Sequence, residues 1–276
     1  MSRLPVNIPV VAVIGLKDSG KTAIVEALVS ELVKKGLKPA TAKHVGKKGF
    51  SMDTEGKDSW RHSAAGANPV MVFSDVEMIL KIKDGIQRLS LDAISNLAQD
   101  YGAEALVLEG FSSLTLEDKS VGKVICPRSK EEYENYKARA RGQVLVYCSI
   151  NSLKPPVLDI KNSLPAIVER TATWVENRKK ILDILRQLPS LDCGKCGKNT
   201  CEGLAQAIFE GKAAVDDCVP LRLKSKIKAK ITVDGSNVPI QPFVAEIVRK
   251  SVLGMVSTLK GVSINGEENV AVVISS

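Results

Sequence analysis

Two stretches hold residues whose types and spacing suit chemistry: "GLKDSGKT", Gly15 to Thr22, and "CGKCGKNTC", Cys193 to Cys201, followed at a distance by Cys218. The first fits the pattern G-x-x-x-x-G-K-S/T, whose glycines let the chain curl and aim successive N–H groups at a phosphate. Gly15 and Gly20 supply that freedom, Asp18 and Ser19 lie within the curl, and a helix starting after it would add the positive end of its dipole. Lys21 is placed to neutralise β- and γ-phosphates, and the Thr22 hydroxyl to ligate a magnesium ion held against them. Read plainly, the stretch is a glycine-bearing turn that carries a lysine. A phosphate-bound metal needs a second anchor from another strand end. "ALVLEGF" offers Glu109 at the carboxyl end of an apolar run, where it would hold the metal or orient an attacking water. A surface carboxylate closing a strand is the other reading of Glu109.

The thiols follow the spacing Cys193-x2-Cys196-x4-Cys201-x16-Cys218. The last arrives after "EGLAQAIFEGKAAVDD", a short helical stretch able to return the chain to the same point. In a cytoplasmic chain such spacing speaks for metal before disulfide, and four thiolates suit zinc or an iron-sulfur cluster. Structural zinc usually shows two Cys-x-x-Cys knuckles, and here there is one. Cys126 and Cys148 stand alone in apolar runs and read as buried thiols.

These residues need elements to hold them. Val10 to Ile14 reads as a buried strand, and Ile24, Val25, Leu28, Leu32 and Val33 recur at helical spacing until Gly36 ends the pattern. Strands are expected at Lys38 to His44, Pro69 to Phe73, Glu77 to Lys83, Ala105 to Glu109, Gly122 to Cys126 and Gln143 to Ile150, with a capped helix from Ser90 to Tyr101. Alternation of this kind predicts an α/β fold with a mainly parallel sheet covered on both faces. A long amphipathic stretch, Leu164 to Leu188, puts Ile167, Thr171, Trp174, Ile181 and Leu185 on one face. Towards the end, "LRLKSKIKAKI" alternates apolar residues with lysines and reads as a strand, "VDGSNVPI" as a turn between strands, Pro242 to Leu259 as a helix and "ENVAVVISS" as a final strand. The expected division is residues 1–165 for nucleotide binding, 166–190 as a linking helix, 191–222 as a four-cysteine domain and 223–276 as a small α+β module.

At 276 residues the chain has room for about two domains, and 44% hydrophobic with 25% charged residues is the composition of a globular chain. No apolar run is long enough for a membrane span or a secretory leader, so a cytoplasmic protein without membrane contact is expected. The net charge of +8 comes from scattered lysines without interleaved aromatics, which favours anionic small ligands over nucleic acid. No Asn-Lys-x-Asp stretch occurs, so the residues indicate a nucleotide without choosing its base.

"KHVGKKGFSMDTEGKDSWRHSAAGA", Lys43 to Ala67, packs both histidines, several lysines, Asp53, Asp58 and Arg61 among glycines, a density suited to a ligand-facing loop. Singly, His44 and His62 read as hydrogen-bonded structural histidines. With the phosphate turn before it and "LVLEGF" after it, this segment resembles the adapter family of molybdopterin-guanine dinucleotide biosynthesis (MobB) over about the first 170 residues. The resemblance implies a P-loop fold and a GTP-binding, weakly GTP-hydrolysing homodimer. It implies a molybdopterin guanylyltransferase as partner, at the attachment of GMP to molybdopterin in molybdenum or tungsten cofactor synthesis. It puts the phosphates on Gly15 to Thr22 and a magnesium-proximal carboxylate at Asp53 or Glu109. Lys57, Asp58 and Arg61 become groups that face nucleotide or molybdopterin. Family members often carry several histidines after the second strand, whereas "KHVGKKGF" keeps His44 alone. "CGKCGKNTC" with a distant cysteine is similar to an iron-sulfur domain attached to corrinoid and redox proteins, which implies a [4Fe-4S] cluster on Cys193, Cys196, Cys201 and Cys218. Two functions stay open: a nucleotide-dependent adapter, and an ATP-driven redox or cluster-handling enzyme.

Overall fold

The computed structural model describes residues 7–47, 49–83, 89–224, 229, 231–233, 235–238, 240–262, 270 and 272. The chain divides into two compact units, residues 1–182 and 183–276.

The first unit starts with β1 (Val10–Ile14), α1 (Lys21–Lys34) and β2 (Pro39–Lys43), then α2 (Asp58–Ala64), β3 (Val70–Phe73) and β4 (Met78–Lys81). It continues through α3 (Leu91–Asp100), β5 (Ala105–Glu109), α4 (Ser112–Thr115), β6 (Gly122–Ile125), α5 (Lys130–Arg139), β7 (Val144–Ser149) and β8 (Leu158–Asp159) into α6 (Ile160–Gln187). Six strands form one sheet in the order β2-β5-β1-β6-β7-β8, and every neighbouring pair is parallel. Side chains alternate across a strand, so β1 serves two cores. Val11 and Val13 pack with Ile24, Leu28 and Leu32 of α1 and with Ile167, Ala172 and Val175 of α6. Val10, Ala12 and Ile14 face Leu91, Phe111 and Leu116 on the other side. This double cover explains why β1 and β5 read as unbroken apolar runs.

The long helix is a core element of this unit, since Ile167, Thr171 and Ala172 are fully buried. Trp174 lies flat against β6, so close that a Cβ at Gly122 would meet its ring at 2.7 Å, which is why that strand opens on glycine. The strands expected at 69–73 and 77–83 do form, but they leave the main sheet. β3 and β4 pair with each other as an antiparallel hairpin, Val70 opposite Lys81 and Phe73 opposite Met78. The short connection between them dictates this, because parallel neighbours need a crossover of a dozen or more residues.

The second unit holds α7 (Cys201–Phe209), a 3₁₀ turn (Val215–Asp217), α8 (Val219–Lys224), an antiparallel pair β9 (Ile231–Val233) and β10 (Ser236–Val238), and α9 (Pro242–Ser257). The alternating segment from Leu221 was expected as a strand, yet its start is helical. Pro220 falls in the first turn of α8, where its fixed φ favours a helix, and Arg222 N donates to Cys218 O at 2.9 Å. Residues 225–228 and 230 of that segment lie outside the described residues, as does most of the final stretch 268–276 expected as a strand.

Candidate functional site

The turn between β1 and α1 has the geometry its glycines suggest. Gly20 has φ 87° and Asp18 φ 59°, both in the left-handed region, and α1 starts at Lys21 directly after Gly20. A Cβ on Gly15 would meet the Cys126 carbonyl at 2.7 Å, and one on Gly20 would meet Ile150 at 2.7 Å. The ends of β6 and β7 thus press on the turn from outside and hold it curled. Ser19 Oγ is buried with no hydrogen-bond partner among the described residues. An orphaned hydroxyl inside a curl of backbone amides fits an oxygen-rich anion. Lys21 Nζ donates to the turn's own Leu16 carbonyl at 2.5 Å, which keeps the ammonium over the loop.

Glu109 closes β5 beside this turn. Parallel pairing puts β5 next to β1, with Val13 in register with Glu109, so the carboxylate reaches the start of α1. Thr22 Oγ1 donates to Glu109 Oε1 at 3.0 Å, and Lys43 Nζ at the end of β2 lies 3.0 Å from the same oxygen. Lys43 and Glu109 are register partners across β2 and β5, and the next amide, His44 N, donates to Glu109 O at 3.0 Å. A hydroxyl, a carboxylate and the glycine turn therefore meet at one edge, and their oxygens are the donors a magnesium ion prefers.

Asp53 is held elsewhere in the loop after β2. Lys81 Nζ donates to Asp53 Oδ2 at 2.6 Å and Ser59 Oγ to Oδ1 at 2.9 Å, and the Lys81 ammonium keeps the carboxyl below its ordinary range. These partners belong to β4 and α2, so Asp53 ties the hairpin to the loop. Lys57 occupies the N-cap position of α2, its carbonyl accepting from Arg61 N at 2.9 Å, and Asp58 pairs with Arg61 at 3.7 Å on the exposed first turn. His44 stacks at a tilt on Phe111, ring centroids 5.5 Å apart. Cys126 and Cys148 are buried with their sulfurs 3.9 Å apart, and the neighbouring thiol and burial raise the Cys126 thiol well above its ordinary value.

Three polar residues at this site carry no sequence motif. Lys43 is the first. Arg128, just beyond β6, donates from Nη1 to the Lys17 carbonyl of the glycine turn at 3.4 Å, while Glu132 Oε1 accepts from its Nε at 3.1 Å and Nη2 at 2.8 Å. The guanidinium holds the Glu132 carboxyl below its usual range. Asn151, beyond β7, donates from Nδ2 to Arg128 O at 2.8 Å. The strand order β1-β6-β7 brings these distant residues to the turn, and a lone arginine between a proline and a serine gives no sign of it.

In the second unit, Cys193 is exposed, Cys196 half-buried, and Cys201 and Cys218 buried. Thr200 caps α7 by accepting from Gly203 N at 3.0 Å, and Asp192 Oδ1 accepts from Cys201 N at 2.6 Å, which fixes Cys201 at the helix start. Among the described residues no three His, Cys, Asp or Glu side chains gather into a ligand set. By donor type the four reduced thiols, three of them in a stretch rich in glycine and lysine, fit a thiolate-held cluster.

Residues 10–145 match the family described as MobB, molybdopterin guanine dinucleotide synthesis protein B, and residues 188–220 match the family described as "Putative Fe-S cluster". The "putative molybdopterin-guanine dinucleotide biosynthesis adapter protein" of Methanocaldococcus jannaschii is 29% identical over 255 residues, which cover 92% of each chain. The "probable molybdopterin-guanine dinucleotide biosynthesis adapter protein" of Bacillus subtilis is 30% identical over 131 residues, 47% of this chain and 71% of that one. The crystal structure of Bacillus subtilis MobB is similar over 59% of this chain and 98% of that chain, with 24% identity and a TM-score of 0.46.

Proposed function

The chain belongs to the molybdopterin-guanine dinucleotide biosynthesis adapter family, and from that premise we propose that it binds GTP with magnesium and assists the attachment of GMP to molybdopterin by a guanylyltransferase. The observation that carries the reading is the Thr22 hydroxyl bonded to Glu109 at the rim of a glycine turn with a buried, unpartnered Ser19 hydroxyl. In this reading the amides of Gly15 to Thr22 cradle the phosphates, Lys21 leaves the Leu16 carbonyl for their oxygens, and Thr22 and Glu109 hold the magnesium ion. Magnesium supplies neutralisation of the charge shared by the β- and γ-phosphates. Glu109 also orients water for slow hydrolysis. Lys57 at the N-cap of α2, with Asp58 and Arg61 exposed on its first turn, faces nucleotide or molybdopterin in this reading.

A cytoplasmic homodimer is part of the proposal. The β3–β4 hairpin leaves Met71, Phe73, Met78, Ile79 and Leu80 exposed, apolar surface of the kind a second copy would cover. Solution mass by ultracentrifugation tests this, and a monomer with and without GTP would reject it.

Residues 191–222, most of which fall in the family match over 188–220, form on this proposal a [4Fe-4S] domain ligated by Cys193, Cys196, Cys201 and Cys218, and residues 223–276 a small α+β module. Such a cluster supplies one-electron transfer. That segment supports a second reading, an ATP-driven redox or cluster-handling protein. Fluorescent GTP and ATP titrations, followed by guanylyltransferase assays with and without this chain, separate the two. Tight ATP binding with no effect on GMP transfer would overturn the adapter reading.

A further inference from the structure

Two cationic or proton-donating groups converge on a single oxygen of Glu109. Thr22 Oγ1 and Lys43 Nζ each stand 3.0 Å from Oε1, in a residue that is only 9% exposed. A divalent cation ligated by Thr22 and Glu109 draws on the same carboxylate, whose Oε1 already meets both Thr22 and Lys43. A cation there and an ammonium 3.0 Å from Oε1 repel each other, so each weakens the other's hold on the carboxylate. The backbone around Lys43 is fixed by pairing of β2 with β5 and by the His44 amide on the Glu109 carbonyl. Its side chain, by contrast, is 56% exposed and free to swing away.

We infer that Lys43 competes with the divalent cation for Glu109 and thereby sets the metal affinity of the nucleotide site. The inference rests on the nucleotide reading above and adds to it a residue which that reading does not use. Lys43 keeps the buried carboxylate neutralised and bonded to Thr22, and it yields the oxygen when a doubly charged ion arrives. The start of the loop that carries Asp53 to Arg61 is therefore joined, through one side chain, to the occupancy of the metal position.

The test uses the full chain with manganese as probe, its binding counted by electron paramagnetic resonance in the presence of saturating GTP. An ammonium that is half exposed contributes modestly, so Lys43→Met should bind manganese about fivefold more tightly. Lys43→Arg keeps the charge and should stay near the wild type. Glu109→Gln should lose most of the metal affinity, and Lys43→Met added to it should bring no further gain. Unchanged or weaker manganese binding in folded Lys43→Met would overturn the inference, as would an equal gain in the Glu109→Gln background. A wild type that binds no GTP would reject the nucleotide reading instead. The order of manganese affinities measured without nucleotide would then still decide the competition.

Discussion

Replacing Gly15 by alanine probes the phosphate turn at its tightest point. The added methyl would stand 2.7 Å from the Cys126 carbonyl oxygen and 3.0 Å from Cys126 Cβ, and it would collide with Ser19 Oγ. Ser19 is buried and has little room to turn, and Cys126 is fixed because its amide donates to Ile14 O at 2.7 Å. The turn, which has no sheet bonds of its own, must give way by several tenths of an ångström. Overpacking of this kind costs about 1–3 kcal/mol of stability. Phosphate bonds lose more, since each charge-assisted bond is worth about 1.5–3 kcal/mol, and the loss of one weakens affinity roughly 10- to 150-fold. Urea unfolding of the first unit, followed by circular dichroism with and without Mg·GTP, reads both effects. At a GTP concentration about 100 times its dissociation constant, the wild type gains about 2.7 kcal/mol, while a variant weakened about 100-fold gains only about 0.4 kcal/mol. Gly254→Ala is the control, because a Cβ there meets nothing within 4 Å, and it should leave the ligand gain intact. If Gly15→Ala keeps the full GTP-dependent gain, the turn does not cradle the phosphates.

Arg128→Ala, which removes the guanidinium bonded to the Lys17 carbonyl, should weaken GTP about fivefold and flatten its salt dependence, and unaltered fluorescent-GTP titrations would refute a role at the turn. Serine at any of Cys193, Cys196, Cys201 or Cys218 should abolish iron and acid-labile sulfide after anaerobic purification while GTP binding survives; stoichiometric zinc without sulfide in the wild type would defeat the cluster. Lys123 is fully buried, its ammonium donating to the Asp118 carbonyl at 2.6 Å and the Val121 carbonyl at 2.9 Å, and burial pushes its pKa down to about 8. Because the unfolded lysine keeps its proton to about 10.5, the cost of burying the charge is fully present below pH 8 and is relieved as pH rises between those values. Stability of the wild type relative to Lys123→Met should therefore rise by about 1 kcal/mol from pH 7.5 to 9.5, and parallel curves would contradict it.

Much of the site was legible because its chemistry is local. The turn from Gly15 to Thr22 needs only neighbours in sequence, and the apolar runs Val10–Ile14 and Leu106–Leu108 announce strands buried on both faces. Glu109 was legible as a strand end, and its bond to Thr22 follows once β1 and β5 are adjacent. Asp53 was expected as a carboxylate facing magnesium or nucleotide, and its ion pair with Lys81 depends on a hairpin that pairs outside the main sheet.

By itself, then, the sequence determined the strand–turn–helix that opens the fold, the alternation that makes a parallel sheet, and the thiol spacing near the end of the chain. Each of these is a pattern of one-dimensional period or spacing, and such patterns survive without knowledge of partners. Tertiary structure alone decided that Lys43 and Thr22 meet the same Glu109 oxygen, that Arg128 reaches the turn between β1 and α1, and that the helix from Ile160 belongs to the core against Gly122. These follow from strand order, which sets residues far apart in the chain side by side at one sheet edge, and strand order is chosen by the packing of the whole unit rather than by any single segment.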